Sequence, residues 1–291
     1  MLVWLNGRTV PAERAHVSAL DRGLLHGDGL YDTWRTYDGI PFATAAHLRR
    51  LAAGTRRLGL PSPGPATLWE TRARRLAARN GLRDAAIRLT LTRGPTGDAV
   101  LPTRAGRPTL LLTTRPLPTA LGRQQEQGIR ATLLPFARDA SVPWGALKLI
   151  GHASAVAGRE IARRRHAQEG LYVTASGEVT EGTTSNLFAV VRGRLLTPPA
   201  AAGVLGGVTR DLVRRLADRA GLPQAEGRLR VTTLARASEI FVTASTIEII
   251  PVVRLDAELV GMGTVGPVTR LLQQRYRAHV RRSCARSRRR R

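Results

Sequence analysis

Lysine is almost absent from this 291-residue chain: of its 46 lysine and arginine residues, all but Lys148 are arginine. Cysteine is equally scarce. The single Cys284 excludes an intramolecular disulfide and any cysteine metal cluster, and no metal ion is expected. Aromatic residues make up 4% of the chain, which leaves little to stack on nucleic-acid bases. No helix-turn-helix, zinc-finger or RNA-binding signature is present. Acidic residues number 21 against the 46 basic ones, giving a formal net charge of +25. Part of that charge is local, because RRSCARSRRRR (281–291) holds seven arginines and no acid. Such a run reads as a disordered, solvated tail that binds polyanions weakly and in a salt-dependent way. A polyanion-binding protein is thus the reading furthest from an enzyme. Apolar runs of membrane-spanning length are also missing, and the opening MLVWLNGRTV lacks the pattern of a signal peptide. The expectation is a cytoplasmic protein with no membrane partner.

What is present is an ordinary globular composition, 43% hydrophobic and 23% charged, at a length that suits two domains. Asn6-Gly7 and Asp38-Gly39 are type I′ turn signals between short strands. Helical periodicity covers about 45–60 and 67–79, and strands are read at 86–94 and 107–116. The segment 116–128, with two prolines and few apolar residues, reads as the connection between domains. Beyond it come a strand at about 129–134, a helix at 153–167 and a strand at 171–175. A helix opening at Gly207, strands near 239–243 and 249–254, and a last helix over 266–280 complete the pattern. The mixture lacks regular βαβ alternation, so the expected class is α+β, mixed α/β in two domains. The boundaries are 1–117 for a small α/β domain, 118–127 for the linker, 128–280 for a larger domain and 281–291 for the tail.

The lone lysine stands in WGALKLIGH (144–152). A guanidinium stays protonated and cannot attack a carbonyl, whereas an amine beside apolar groups can become a nucleophile. Survival of one lysine by drift in an arginine-rich composition is the other reading. Glu181 follows in EGTTSN (181–186), a turn rich in small polar residues. LGGVTRD (205–211) puts glycines and the Thr209 hydroxyl at a helix start, where backbone N–H groups favour a phosphate. Ser245 and Thr246 in VTASTIE (242–248) add hydroxyl donors.

Taken in order, Lys148, EGTTSN, TPP (197–199), GVTR (207–210) and EIFVTASTIEIIPV (239–252) resemble the class IV (fold type IV) pyridoxal-phosphate enzymes. These are the D-amino-acid and branched-chain aminotransferases and 4-amino-4-deoxychorismate lyase. The similarity runs from LNG at residues 5–7 through SALDRGLLHGDGLYDTWR (18–35) to GPVTRLL (266–272). It implies a D-amino-acid-aminotransferase-like fold whose larger C-terminal domain is a pseudo-barrel and binds pyridoxal 5′-phosphate, with a homodimer as the assembly. Lys148 would carry the cofactor as a Schiff base and move the proton at the substrate's Cα. Glu181 would face the ring nitrogen. Arg50 in HLRRL, Val208, Thr209 and Ser245 would hold the phosphate, with spacing alone not choosing between Arg49 and Arg50. Tyr31, Thr246 and Arg138 are substrate candidates, with Arg93 and Arg104 as further anion ligands.

The resemblance implies a transaminase that passes an amino group from an amino acid or amine to a 2-oxo acid in a ping-pong cycle. The lyase, releasing pyruvate and 4-aminobenzoate, is the alternative on the same scaffold. Two departures leave the donor open. The D-amino-acid enzymes carry an arginine and a histidine after the TRG turn, where this chain has Asp98 and Val100. After the lysine comes LIGHAS, in which His152 either approaches the cofactor or caps the next helix.

Overall fold

The computed structural model describes residues 1–96, 100–101, 107–137 and 144–289. The chain divides into two compact units: the first comprises Met1–Leu117, Leu147–Gly151 and the C-terminal segment from Ser283, the second Pro118–Ala146 and His152–Arg282.

The first unit is built on a wholly antiparallel six-stranded sheet. Its strands are β1 (Leu2–Leu5), β2 (Arg8–Pro11), β3 (Gly29–Tyr37), β4 (Ile40–Pro41), β5 (Ala85–Thr92) and β6 (Thr109–Pro116), in the order β2-β1-β6-β5-β3-β4. Both turn signals form as their residues dictate, with positive φ at Asn6, Gly7, Asp38 and Gly39. A short helix α1 (Arg22–His26) precedes β3, and α2 (Thr44–Arg57) and α3 (Ala66–Arg79) lie between β4 and β5. In α2 the buried positions 44, 47, 48, 51, 54 and 55 recur every three or four residues, the stripe that a core-facing helix requires. Leu48 and Leu51 of α2 and Trp69 of α3 join Trp34, Leu89 and Leu112 of the sheet in one core. Leu147 and Leu149 pack against that core, and Leu149 bridges Leu30 of β3. The lysine segment, assigned by sequence to the larger domain, therefore counts with the first unit.

The second unit contains α4 (Leu121–Gln127), β7 (Ile129–Leu134), α5 (Ala153–Arg164), β8 (Glu169–Val173), β9 (Glu178–Gly182), β10 (Asn186–Val191), β11 (Arg194–Thr197) and α6 (Val208–Arg219). It continues through β12 (Gln224–Glu226), β13 (Leu229–Arg230), α7 (Val231–Leu234), β14 (Glu239–Ala244), β15 (Glu248–Leu255) and β16 (Glu258–Leu259) to the start of α8 (Pro267–Arg289), whose residues from Ser283 count with the first unit. Strands β10, β14, β15, β7, β8 and β9 neighbour one another in that order, and β9 pairs back to β10. The ring is closed, so the pseudo-barrel is present. The pairing that closes it is Glu181 with Asn186. Phe188 and Phe241, opposite each other on β10 and β14, stack at 4.9 Å within the core.

Two sequence expectations are corrected. Residues 121–127, assigned to a linker, form α4, because Leu121 and Gln125 one turn apart are buried and Gln125 Nε2 donates to the Ile247 carbonyl at 2.9 Å. The arginine-rich segment is helical to Arg289, not disordered. From Val268 to Arg289 there is no glycine or proline, and arginine is itself a good helix former.

Candidate active site

Lys148 is held by its backbone. Its carbonyl accepts from the Tyr31 N–H at 2.9 Å, and the Ile150 N–H donates to the Gly29 carbonyl at 3.1 Å, so the segment runs alongside the start of β3. Leu147 and Leu149 on either side pack against the core. Strand-like alternation then turns the intervening lysine the other way, and its Nζ lies 4.6 Å from the centre of the Tyr31 ring.

Next to Tyr31 along β3 is Asp32, which is wholly buried. Arg50 donates to it twice, from Nε at 3.0 Å and from Nη2 at 2.7 Å, and His47 Nδ1 is 2.8 Å from the same carboxylate. Burial alone would raise the Asp32 pKa. The charge of Arg50, then that of His47, which is protonated at the low pH where this carboxyl titrates, and the hydrogen bonds from both hold it far below the carboxylate range instead. Burial pushes the His47 pKa down and outweighs the opposite pull of Asp32. His47 is thus neutral at pH 7, and the proton sits on Nδ1, which donates to Asp32. Arg50, on the inner face of α2, is the arginine this network selects, while Arg49 is exposed.

Sequence reasoning missed Arg88. On β5, its guanidinium lies 3.7 Å from the centre of the same Tyr31 ring that Lys148 overlies. It donates to Thr90 Oγ1 at 3.2 Å and has no acidic partner among the described residues. Burial pushes its pKa down, yet an arginine remains charged. Arg93, a candidate by sequence, is engaged elsewhere: it donates to Asp28 at 2.7 Å and to the Leu58 and Gly59 carbonyls at 2.9 and 3.1 Å. Arg138, Arg104 and Asp98 lie outside the described residues; Val100 is exposed.

In the second unit, Glu181 is buried where the barrel ring closes. Its Oε2 accepts from the Leu205 N–H at 3.0 Å and from Asn186 Nδ2 at 3.4 Å. Asn186 Nδ2 also donates to the Leu205 carbonyl at 2.8 Å. Asn186 therefore ties the carboxylate to the loop leading into α6. Behind the EGTTSN turn, Glu169 accepts from the Thr183 N–H at 3.1 Å and from Ser185 Oγ at 2.9 Å, which fixes the turn.

Helix α6 starts at Val208 with Gly207 as N-cap and no side chain capping it; the first intrahelical bond is Asp211 N–H to Gly207. The N–H groups of Val208, Thr209 and Arg210 consequently have no intrahelical acceptor. Thr209 is buried, and its Oγ1 is 3.3 Å from Ser245 Oγ. Thr246 follows in the turn from β14 to β15. A Cβ on Gly207 would stand 1.9 Å from Asn186 Oδ1, so only glycine lets the helix start come this close to the Glu181 loop. Uncapped amides with two hydroxyls suit a phosphate, and a buried carboxylate suits a ring N–H. His152 stands at the N-cap of α5 without capping it through its side chain.

A family model described as amino-transferase class IV matches residues 29–255. The chain is 35% identical over 279 residues to a putative branched-chain-amino-acid aminotransferase of Methanocaldococcus jannaschii, covering 95% of this chain and 96% of that one. It is 30% identical over 280 residues to a D-alanine aminotransferase of Staphylococcus aureus, covering 96% and 97%. Among solved structures, the T.th. branched-chain amino acid aminotransferase with pyridoxamine 5′-phosphate superposes with a TM-score of 0.88 at 29% identity, over 97% of this chain and 94% of that one.

Proposed function

The chain belongs to the class IV aminotransferases, enzymes that depend on pyridoxal phosphate and pass an amino group from an amino acid to a 2-oxo acid, and from that premise we propose how its own residues divide the work. The lyase alternative is not favoured, since the matched relatives are named as aminotransferases. The donor set described above fits the cofactor. Bound, it supplies an electron-withdrawing ring that accepts the electron pair released at the substrate's Cα.

Lys148, the sole lysine, holds the cofactor covalently at rest and moves the proton at the substrate's Cα. Glu181 keeps a proton on the ring nitrogen, and Asn186 with the Leu205 N–H keeps Glu181 turned toward that task. Val208, Thr209 and Ser245 bind the phosphate, and Arg50, oriented by Asp32, adds a guanidinium fork.

The substrate pair we infer is a branched-chain or other hydrophobic amino acid with a dicarboxylic 2-oxo acid such as 2-oxoglutarate. The observation that carries it is Arg88, a charged side chain on the Tyr31 ring beside Lys148 with no acidic partner among the described residues. The distal carboxylate of a dicarboxylic 2-oxo acid supplies what it lacks. The replacement of the D-amino-acid arginine–histidine pair by Asp98 and Val100 favours this pair over D-alanine.

Arg88→Ala should raise the KM for 2-oxoglutarate by about 10- to 100-fold, the worth of a charge-assisted hydrogen bond, and leave the KM for pyruvate unchanged. Equal KM values for 2-oxoglutarate in the wild type and the variant would remove Arg88 from the site.

The reading includes a cytoplasmic homodimer. Exposed Leu20, Leu24 and Leu25 around α1, with Arg22 Nη2 bonded to the carbonyl of the exposed Val100 at 2.6 Å, offer an apolar patch suited to a second copy.

A further inference from the structure

Within the first unit, away from the residues assigned above, a groove of about 610 Å³ opens beside the β3–β4 turn. Three guanidinium groups from three separate segments line it: Arg74 of α3, Arg83 from the connection between α3 and β5, and Arg288 near the end of α8. The Ser287 hydroxyl belongs to the same lining, and the one acid there is Asp38. Arg83 and Arg288 each donate to Asp38 through Nη2 alone, one to each carboxylate oxygen. The remaining donors of both forks are left for another acceptor, and both side chains are largely exposed. Arg74 has no acidic partner among the described residues. Three positive charges thus line the groove with one negative charge, while a further acid, Asp84, accepts from the Asp38 N–H at 3.2 Å and pairs with Arg35. Asp38 itself marks where an anion sits in this ring.

We propose that this groove binds a small soluble polyphosphate, an anion with two or more negative charges on clustered phosphoryl oxygens. The chemistry selects that class. Guanidinium forks pair bidentately with phosphoryl oxygens, and a dianion balances the excess charge that a monocarboxylate leaves. Arg288 and Ser287 lie on the arginine-rich end of α8, so binding also fastens that helix end to the β3–β4 turn. Asp38 competes with the ligand for the same donors, and this gives the site a signature opposite in sign to general damage.

Pyrophosphate is titrated calorimetrically into the full-length, cofactor-loaded enzyme at about 100 mM salt, where long-range attraction is screened. With the cofactor bound, its own phosphate site is already filled. One saturable site is expected. Arg74→Ala and Arg83→Ala should each weaken it at least about 10-fold, the loss of a charge-assisted contact. Asp38→Asn, which tolerates the positive φ of this turn, should tighten it about 3- to 10-fold by removing a like charge. All three variants should keep the wild-type kcat for transamination. Absence of saturable binding, equal affinity in the arginine variants, or weaker binding by Asp38→Asn would each overturn the proposal. So would affinity that survives Arg74→Ala but vanishes in Arg281→Ala/Arg282→Ala, because the anion would then follow the general charge of the helix, as a nucleic acid would.

Discussion

Replacing Asp32 by asparagine preserves its shape and removes one charge from a wholly buried site. Three donors depend on that charge: Arg50 Nε, Arg50 Nη2 and His47 Nδ1, at 3.0, 2.7 and 2.8 Å. Removing one partner of a buried ion pair costs about 3–5 kcal/mol, because the other charge is stranded. Arg50 retains 19% side-chain exposure, so water reaches the stranded guanidinium, and the lower end, about 3 kcal/mol, applies. At about 3 °C per kcal/mol for a protein of this size, Asp32→Asn should melt roughly 10 °C below the wild type at pH 7. The pH dependence has a definite sign. The folded-state pKa of Asp32 lies below its ordinary 3.8, so its contribution is complete above that value and is lost as pH falls below it. The two melting temperatures should therefore converge as the medium is acidified. Arg50→Met strands the carboxylate instead, and the double variant leaves neither charge unpaired. The double should be about 2 kcal/mol less destabilised than the sum of the singles. Urea and thermal unfolding of the cofactor-free chain supply all four corners of this cycle. Small, additive effects from the two single variants would refute a coupled buried pair.

Two further predictions use the same physics. Gly207→Ala should raise the dissociation constant for pyridoxal phosphate at least about 10-fold, since a Cβ 1.9 Å from Asn186 Oδ1 forces the phosphate-binding helix start to move. Gly206→Ala, with nothing within 4 Å of an added Cβ, is the matched control and should leave it unchanged; fluorescence titration of the cofactor-free enzyme reads both, and equal constants for the two would contradict the packing argument. The folded-state pKa of His47 is below its ordinary 6.5, so the stability tied to its neutral form is complete above that pH and declines below it, by at most about 1.4 kcal/mol per pH unit. His47→Asn should flatten the melting temperature between about pH 6.5 and pH 5, and parallel profiles for variant and wild type would show that His47 does not titrate against folding.

The parts of this site legible in the sequence are those where a residue type is rare or a backbone need is strict. Lys148 stood out because no second lysine competes with it. Asn6-Gly7 and Asp38-Gly39 announced turns whose positive φ few residues accept. Arg88 was illegible for the opposite reason: in a chain where nearly every basic residue is arginine, one more in AIRLTLT (86–92) carries no signal. Only the β3–β5 register, with Thr33 opposite Arg88 and Tyr31 opposite Thr90, brings its long side chain onto the Tyr31 ring. Spacing does not separate Arg49 from Arg50; what the fold adds is that Arg50 pairs with the buried Asp32 while Arg49 is exposed. Asn186 looked like one small polar residue among several, and its role depends on the closure of the barrel, a contact no local pattern contains. The end of α8 is helical where its charge density suggests disorder, because arginine favours a helix and no glycine or proline interrupts it.

In the proposed mechanism Lys148 carries the cofactor. Borohydride reduction of the loaded enzyme, followed by proteolysis and mass spectrometry, tests it directly. The predicted result is one reduced pyridoxal phosphate adduct per chain, on the peptide containing Lys148, and none in Lys148→Ala. An adduct on the N-terminal amine, or a variant that keeps both the adduct and its turnover, would contradict it.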